Sequence, residues 1–386
     1  MPVAVTLTRD EARRRLVVHH ALTRPTGRGA RGVRALLERL RCIQLDPLDV
    51  IGTNADLVVM ARVDGVTRGD VWRHLFPRHA FEHFAKERCI LPAAAFQWYR
   101  EQGHAAQTPW WRHGEREQRV APQLVAAVLD EIRERGPLAA RDLTDHGSVA
   151  PIDWSGWKGT AKATSMALEI LWTRCDIVVA GRTDSGNKLY DIPSRALGDI
   201  ANAPTAGDFP RWALLERVRA AGLLTRAGGS MWSMLSHVRT SPLVDEMIAA
   251  GELLEVHLEE SPRRYLAAPE FLTTRSPRYD DRARILGPLD PLLWDRDLVR
   301  HTFGFDYVWE VYKPAPQRIW GWYVCPILHR DRLVARIDAR IDGGTLIVSK
   351  LWLEDENVDR DAIRDGIERH AAACACTKVR WPRAWR

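Results

Sequence analysis

Between residues 121 and 192 the chain reads as helix, turn, short helix, helix and hairpin in unbroken succession, an order that few folds accommodate. Apolar spacing predicts a helix over residues 121–135, and Gly136-Pro137-Leu138 then turns the chain. A short helix over 140–143 and a longer one over 160–174 follow, with Lys158 and Lys162 near the start of the latter. Residues 177–180 and 189–192 then form a hairpin whose tip, from Arg182 to Lys188, is polar. This is the order of a winged helix-turn-helix, in which the third helix reads DNA and the hairpin tip touches phosphate.

Weaker copies of the pattern flank this segment. At the N-terminal side, Thr8 with Glu11 spells a capping box for a helix carrying Ala12, Leu16 and Val17, and a second helix is expected over 33–40. Asn54 is placed to cap a further helix through Met60, residues 80–91 read as extended, and Pro92 opens the next helix. After Pro204 come helices over 212–221 and 243–249, then a hairpin of 253–258 with 263–267 whose turn carries Arg263 and Arg264. Beyond about Arg284 the apolar period changes from 3.6 to 2. Strands are expected over 305–312, 318–328, 332–341 and 344–353, the last two joined by Asp342-Gly343-Gly344, with a closing helix over 360–372. The expected class is α+β: tandem winged helix-turn-helix units over 1–110, 111–203 and 204–283, followed by a β-rich, barrel-like domain over 284–386.

Charge adds direction. The chain carries +6 overall, and from Arg9 to Arg41 it holds ten arginines against three carboxylates. Guanidinium groups hold phosphate in two parallel hydrogen bonds, so such a run suits nucleic acid, although a solvated helix face has the same look. Nothing approaches the roughly 20 apolar residues of a membrane span. Met1 to Arg15 lacks a signal-peptide core, which points to the cytoplasm. The six cysteines include no Cys-x-x-Cys pair, so reduced, partly buried thiols are expected rather than a metal site. The 16 tryptophans read mostly as core, with Trp309, Trp320, Trp322 and Trp352 at strand spacing, and one of the 16 could instead wedge into DNA.

Gln44 and Asp46 are the residues that suggest chemistry. Two apart on a strand, they share a face, while Leu45 points the other way. Pro47 keeps Asp46 out of the helical region. A lone carboxylate in basic surroundings would repel DNA, which is easier to understand if it reacts. The plainer alternative is that Asp before Pro builds a turn and Gln satisfies backbone groups.

The run Arg41-Cys42-Ile43-Gln44-Leu45-Asp46-Pro47-Leu48-Asp49-Val50-Ile51 resembles the strand motif of the winged-helix DNA glycosylases of the AlkZ and YcaQ (AlkX) type. Residues 81–92, 287–296, 303–312 and 321–328 resemble further blocks of the same family, so the likeness spans nearly the whole chain. In that family the motif is Gln-x-Gln in one branch and Gln-x-Asp in the other; Gln44 and Asp46 match the second. The resemblance implies tandem winged helices with a barrel-like C-terminal domain, and excision of bulky N7-alkylpurines with unhooking of interstrand crosslinks. Relatives often have His-Glu where this chain has Lys86-Glu87, a departure that puts the histidine's role in doubt here and leaves Glu87 as either a pocket residue or a structural hydrogen-bond acceptor.

Alkylation at N7 puts a fixed positive charge on the base, so no strong general acid is needed. Asp46 is expected to stabilise charge growing on the sugar and to act as base toward water, and Gln44 to position water or sugar. A monofunctional, cofactor-free enzyme that leaves abasic sites follows, working as a monomer on duplex DNA in repair or self-resistance. Lys158, Lys162, Arg174, Arg182, Lys188, Arg263 and Arg264 are the candidate DNA contacts. The rival is a winged-helix transcription regulator without catalysis, which would bind one sequence, often as a dimer.

Overall fold

A computed structural model describes residues 5–105, 110, 112–152, 159–204, 207–273 and 277–385. Their contacts divide into two compact units: Met1–Val71 with Arg211–Arg386, and Trp72–Pro210. The N-terminal segment therefore folds with the distant C-terminal half, so chain order and compactness do not coincide.

In the first unit the capping box forms as the sequence requires. Thr8 Oγ1 accepts from the Glu11 amide at 3.1 Å, and Glu11 accepts from the Thr8 amide at 2.9 Å, starting the helix Arg9–His19. Ahead of it, Val5–Leu7 pairs in parallel with Leu254–Leu258, which pairs antiparallel with Arg264–Ala267, with Leu224–Thr225 at the far edge. Helices Phe209–Ala221 and Leu243–Ala249 form close to where apolar spacing puts them.

The C-terminal part is a curled five-stranded sheet in the order Ala283–Ile285, Val324–His329, Arg332–Asp342, Thr345–Leu353, Lys378–Arg380. Register shifts at Ile327/Leu328 and Asp338/Ala339 interrupt two of its ladders, the irregularity by which sheets bend. Asp342 pairs with Thr345 across Gly343 and Gly344, whose φ values of +51° and +72° suit a two-residue hairpin turn. The helix Arg360–Ala373 lays Ile363, Ile367 and Ala371 on this sheet. It comes so close that a Cβ on Gly366 would stand 2.7 Å from the Ala283 carbonyl oxygen.

Two expected strands differ. Within the strand expected over 305–312 only residues 305–308 alternate, with Phe305 and Tyr307 buried and Asp306 and Val308 exposed, and among the described residues no neighbour completes a ladder. Their order comes from side chains instead, as where the Tyr307 hydroxyl donates to the Val324 carbonyl at 2.6 Å. The strand expected over 318–328 begins only at Val324, because residues 310–321 form a separate knot described below.

The second unit contains the hairpin Ala80–Ala85/Glu87–Pro92, then helix Pro122–Arg135, strand Leu138–Ala139, a 3-10 turn Ala140–Asp142, helix Ala163–Thr173 and the hairpin Val178–Arg182/Lys188–Asp191. Leu138–Ala139 pairs with Lys188–Asp191. Its core is aromatic: Phe81, Phe96, Tyr99, Trp110 and Trp172 surround His83, which stacks on Trp172 at 4.9 Å and is held by burial down to about 3. The six cysteines are free, and all but Cys376 are buried. No helix among the described residues is long and apolar enough to cross a membrane.

Candidate active site

The segment holding Gln44 and Asp46 packs with residues more than two hundred positions further along the chain, in the 287–296 and 303–328 segments. The strand expected over residues 42–46 covers only Ile43–Gln44, and Gln44 is buried. Thr53, not Asn54, caps the helix Asn54–Met60, in a box with Asp56. That leaves Asn54 as the first helical residue, fully buried. Its Nδ2 donates to the Gln44 carbonyl at 2.8 Å and its Oδ1 accepts from the Leu289 amide at 3.2 Å. Asn54 thus ties the Gln44 backbone to the 287–290 segment, where a Cβ on Gly287 would sit 2.5 Å from Asn54 Oδ1.

The same segment is anchored twice more. Arg62 places two parallel hydrogen bonds of 2.8 Å on Asp290, with both side chains at zero exposure. Arg296 donates to the Pro288 carbonyl at 2.7 Å and lies over the Tyr307 ring.

Asp46 lies past the end of the strand. Its Oδ1 accepts from the Leu48 amide at 2.9 Å, the turn that an Asp followed by Pro favours, so this local bond and not strand alternation sets its direction. Leu45, expected in the core, is half-buried, as is Asp46. Asp46 Oδ2 has no partner among the described residues. Burial raises the pKa of this carboxyl, opposed only by the Leu48 amide, and no described cation faces it. Downstream, the Val50 carbonyl accepts from the Ile341 amide at 3.1 Å, and the Ile51 carbonyl faces His370 Nε2 at 2.8 Å. Leu48, Val50 and Ile51 pack with Tyr323 and Trp309 against the curled sheet.

The sequence marked Tyr323 only by its place in a matched block, and Trp309 by such a place and as one of the tryptophans at strand spacing. The Tyr323 hydroxyl and the Trp309 indole N–H are buried without a partner among the described residues. Burial first, and then Cys325, Asp46, Tyr307 and Asp49, push the Tyr323 hydroxyl up. The 310–321 knot beside them is closed by Glu310, which accepts from the amides of Ile319, Trp320 and Gly321 at 2.8–3.3 Å and from Lys313 at 2.9 Å. Burial would raise the Glu310 carboxyl, but those four donors outweigh it and hold it down to about 2.

Glu87 belongs to the second unit. It is exposed, beside the turn of its hairpin, with φ +58°. The neighbouring Lys86 is buried.

The candidate DNA contacts are dispersed. Lys158 lies outside the described residues. Lys162 is exposed at the N-cap of Ala163–Thr173, 3.5 Å from Asp145, while Arg174 at the other end pairs with Glu117. Arg182 and Lys188 flank the hairpin tip but reach the buried Glu82, and the Arg182 guanidinium lies over Trp72 at 4.1 Å. In the first unit Arg263 pairs with Asp297, and Arg264 is exposed, 3.6 Å from Glu255.

The arginine-rich run 9–41 is not one phosphate-facing surface. Arg13 is buried on Asp10 and Asp331, Arg15 donates to the Leu272 carbonyl at 2.6 Å, and Arg39 closes on the carbonyls of Val18 and His19. Arg14, Arg24, Arg31 and Arg34 are exposed. Among the described residues no group of three His, Cys, Asp or Glu is placed to hold a metal ion.

The family model described as DNA glycosylase AlkZ-like matches residues 37–375. The DNA glycosylase AlkZ of Streptomyces sahachiroi superposes with a TM-score of 0.58 at 17% identity, covering 97% of this chain and all of that one. The superposition speaks for the fold. The match over most of the chain shows that the protein belongs to the AlkZ-like DNA glycosylase family, and DNA is accordingly its substrate.

Proposed function

We propose that this chain hydrolyses the N-glycosidic bond of bulky N7-alkylated purines in duplex DNA and unhooks interstrand crosslinks, leaving abasic sites. The observation that carries the proposal is the Asp46 carboxylate. One oxygen is fixed by the Leu48 amide, the other is without a partner among the described residues, and no described cation neutralises it. A carboxylate partly withdrawn from water and unpaired is costly. It suits a cation that arrives with the substrate.

In the proposed step the C1′–N9 bond breaks and its electron pair returns to the purine, which leaves as the neutral N7-alkyl base. Asp46 stabilises the positive charge growing on the sugar. It then takes a proton from water as the water oxygen bonds to C1′. Gln44, with a side chain that both donates and accepts, orients water or sugar. No covalent enzyme intermediate is invoked, so the enzyme is monofunctional.

The succession in residues 122–191, together with the hairpin at 254–267, supports the reading of tandem winged helices that grip the duplex. Lys162, Arg174, Arg182, Lys188, Arg263 and Arg264 are the proposed phosphate contacts, with Glu87 a pocket residue. Arg174, Arg182, Lys188 and Arg263 would have to exchange their present carboxylate partners for phosphate. A monomer acting in the cytoplasm completes the proposal.

The test is base release from a duplex with one N7-alkylguanine, comparing wild type with Asp46→Asn in chelator. Release by wild type alone supports both enzyme and site. Equal release by both discards Asp46. No release from this duplex or a crosslinked one, with tight binding to particular sequences, hands the case to a regulator.

A further inference from the structure

Five large apolar side chains stand well exposed among the described residues, and four of them, Val308, Tyr312, Ile319 and Trp322, occupy the single loop 308–322. Tyr312 is 88% exposed and Ile319 74%. Scattered apolar groups on a surface need no explanation, but a cluster on one loop does.

This loop is also built to hold still. Glu310, buried at its base, gathers three backbone amides from residues 319–321 and the Lys313 ammonium. Arg318 Nε donates to the Lys313 carbonyl at 2.8 Å. The exposed rings are therefore displayed on a preorganised frame rather than a floppy tip.

The loop is contiguous with the candidate active site. Trp309 packs in the same core cluster as Leu48 and Val50, two and four residues beyond Asp46. From Trp309 the ring contacts run outward to Tyr312 at 5.8 Å and inward to Tyr323 at 6.3 Å, and Trp322 lies 6.4 Å from Tyr323. Lys313 and Arg318 stand half-exposed among these apolar groups. Rings and aliphatic groups interleaved with cations, beside the reacting carboxylate of an enzyme that works on DNA, are complementary to flat base faces flanked by phosphates.

We infer that loop 308–322 is a stacking platform for duplex DNA, on which Tyr312 and Ile319 pack against bases flanking the lesion while Lys313 and Arg318 meet the adjoining phosphates. Placing the platform at the lesion rests on the reading of Asp46 as the reacting carboxylate. Because the loop is already ordered, docking costs little conformational entropy. The contact is with bases common to any sequence, so it raises affinity without reading sequence.

The test uses the full chain and a fluorescein-labelled duplex carrying a tetrahydrofuran abasic analogue, with anisotropy titrations at several salt concentrations. Tyr312→Ala should weaken binding by about tenfold, the size expected for loss of one stacking contact, and Ile319→Ala by about threefold or more through lost apolar contact, neither changing the salt slope. Lys313→Gln should lower that slope by about 1, as expected for one lost phosphate contact. Tyr312→Phe, which keeps the ring, should bind as wild type. Tyr312 and Ile319 are exposed, so melting temperatures should stay unchanged.

Binding by Tyr312→Ala, Ile319→Ala and their double variant within twofold of wild type overturns the platform. So does a loss confined to excision of a bulky N7 adduct and absent for N7-methylguanine, which would make the loop an adduct pocket. Wild type running as a dimer that Tyr312→Ala converts to monomer would make the patch a self-interface and also overturn it. Asp46→Asn, run alongside, should bind as wild type and fail to excise. If it excises, the reading of Asp46 fails, while the binding titrations still decide the platform.

Discussion

The guanidinium of Arg62 and the carboxylate of Asp290, 228 residues apart, meet in two parallel hydrogen bonds of 2.8 Å with neither side chain exposed to water. Arg62 also donates to the carbonyls of His20 and Val58 at 2.7 and 3.1 Å, and Asp290 accepts from the Leu292 amide at 3.0 Å. The pair is thus the centre of a satisfied polar network that fastens the helix behind Gln44 to the 287–293 segment.

Removing one partner leaves the other charged and buried. Asp290→Leu or Arg62→Met alone should each cost about 3–5 kcal/mol in urea unfolding, whereas the double substitution should cost clearly less than either single one. Additive losses would mean that the two side chains are not coupled as their geometry indicates.

Asp46 should behave in the opposite way. Burial raises its folded pKa, so ionisation at neutral pH works against folding; any stabilisation it gives exists below the unfolded pKa and is lost as pH rises through the folded one. Asp46→Asn keeps an oxygen for the Leu48 amide and removes the charge. At pH 7 its melting temperature should equal or exceed that of wild type, with the difference vanishing below about pH 4, while excision falls by about 10²–10⁴-fold. A variant both inactive and clearly less stable would point to a structural role.

The same shift sets a pH profile. If the carboxylate form of Asp46 is the working form, single-turnover excision should fall on the acid side with a midpoint above the ordinary aspartate value of about 3.9. Asp46→Asn, if any residual rate can be measured, should lack that limb. A wild-type rate level down to pH 4 would remove Asp46 from the chemistry.

Asn54 offers a test of positioning. Asn54→Asp cannot donate to the Gln44 carbonyl and would bury a charge, so it should cost more than the 1–3 kcal/mol of an unmade buried hydrogen bond, the range expected of Asn54→Ala. Both should lower kcat and leave DNA affinity close to wild type. Affinity falling in parallel would place Asn54 in DNA binding instead.

How far the sequence carried depended on the range of each interaction. The Thr8–Glu11 box was legible because its partners are three residues apart, and the helix Leu243–Ala249 because its apolar spacing is local. Gln44 and Asp46 were legible as a motif, but not the turn at Asp46, since its bond to Leu48 competes with continuing the strand. Asn54 looked like a cap because Asn caps helices well; its partners Gln44 and Leu289 arrive through tertiary folding and take it over. Arg182 and Lys188 sat on a predicted polar hairpin tip, and only the fold brings buried Glu82 to them. The segment 305–312 looked like a strand because one-sided burial, seen over 305–308, has the same period whether or not a ladder forms.

Glu310 gives the last test. Its folded pKa is held down to about 2, so its stabilising contribution is complete above the unfolded value of about 4.3 and is lost as pH falls from there toward 2. Glu310→Gln keeps the shape but loses the charge that strengthens four hydrogen bonds. At pH 7 it should be less stable than wild type by about 1.5–3 kcal/mol, a gap that narrows steadily below about pH 4. Limited proteolysis should then cut within residues 311–321 faster in the variant than in wild type at pH 7. Since the knot carries Tyr312 and Ile319, the variant should also lose DNA affinity even though Glu310 is buried and acidic. Faster cutting with unchanged affinity would separate the knot from DNA binding; no faster cutting would mean that the amides of residues 319–321 do not depend on Glu310 for their order.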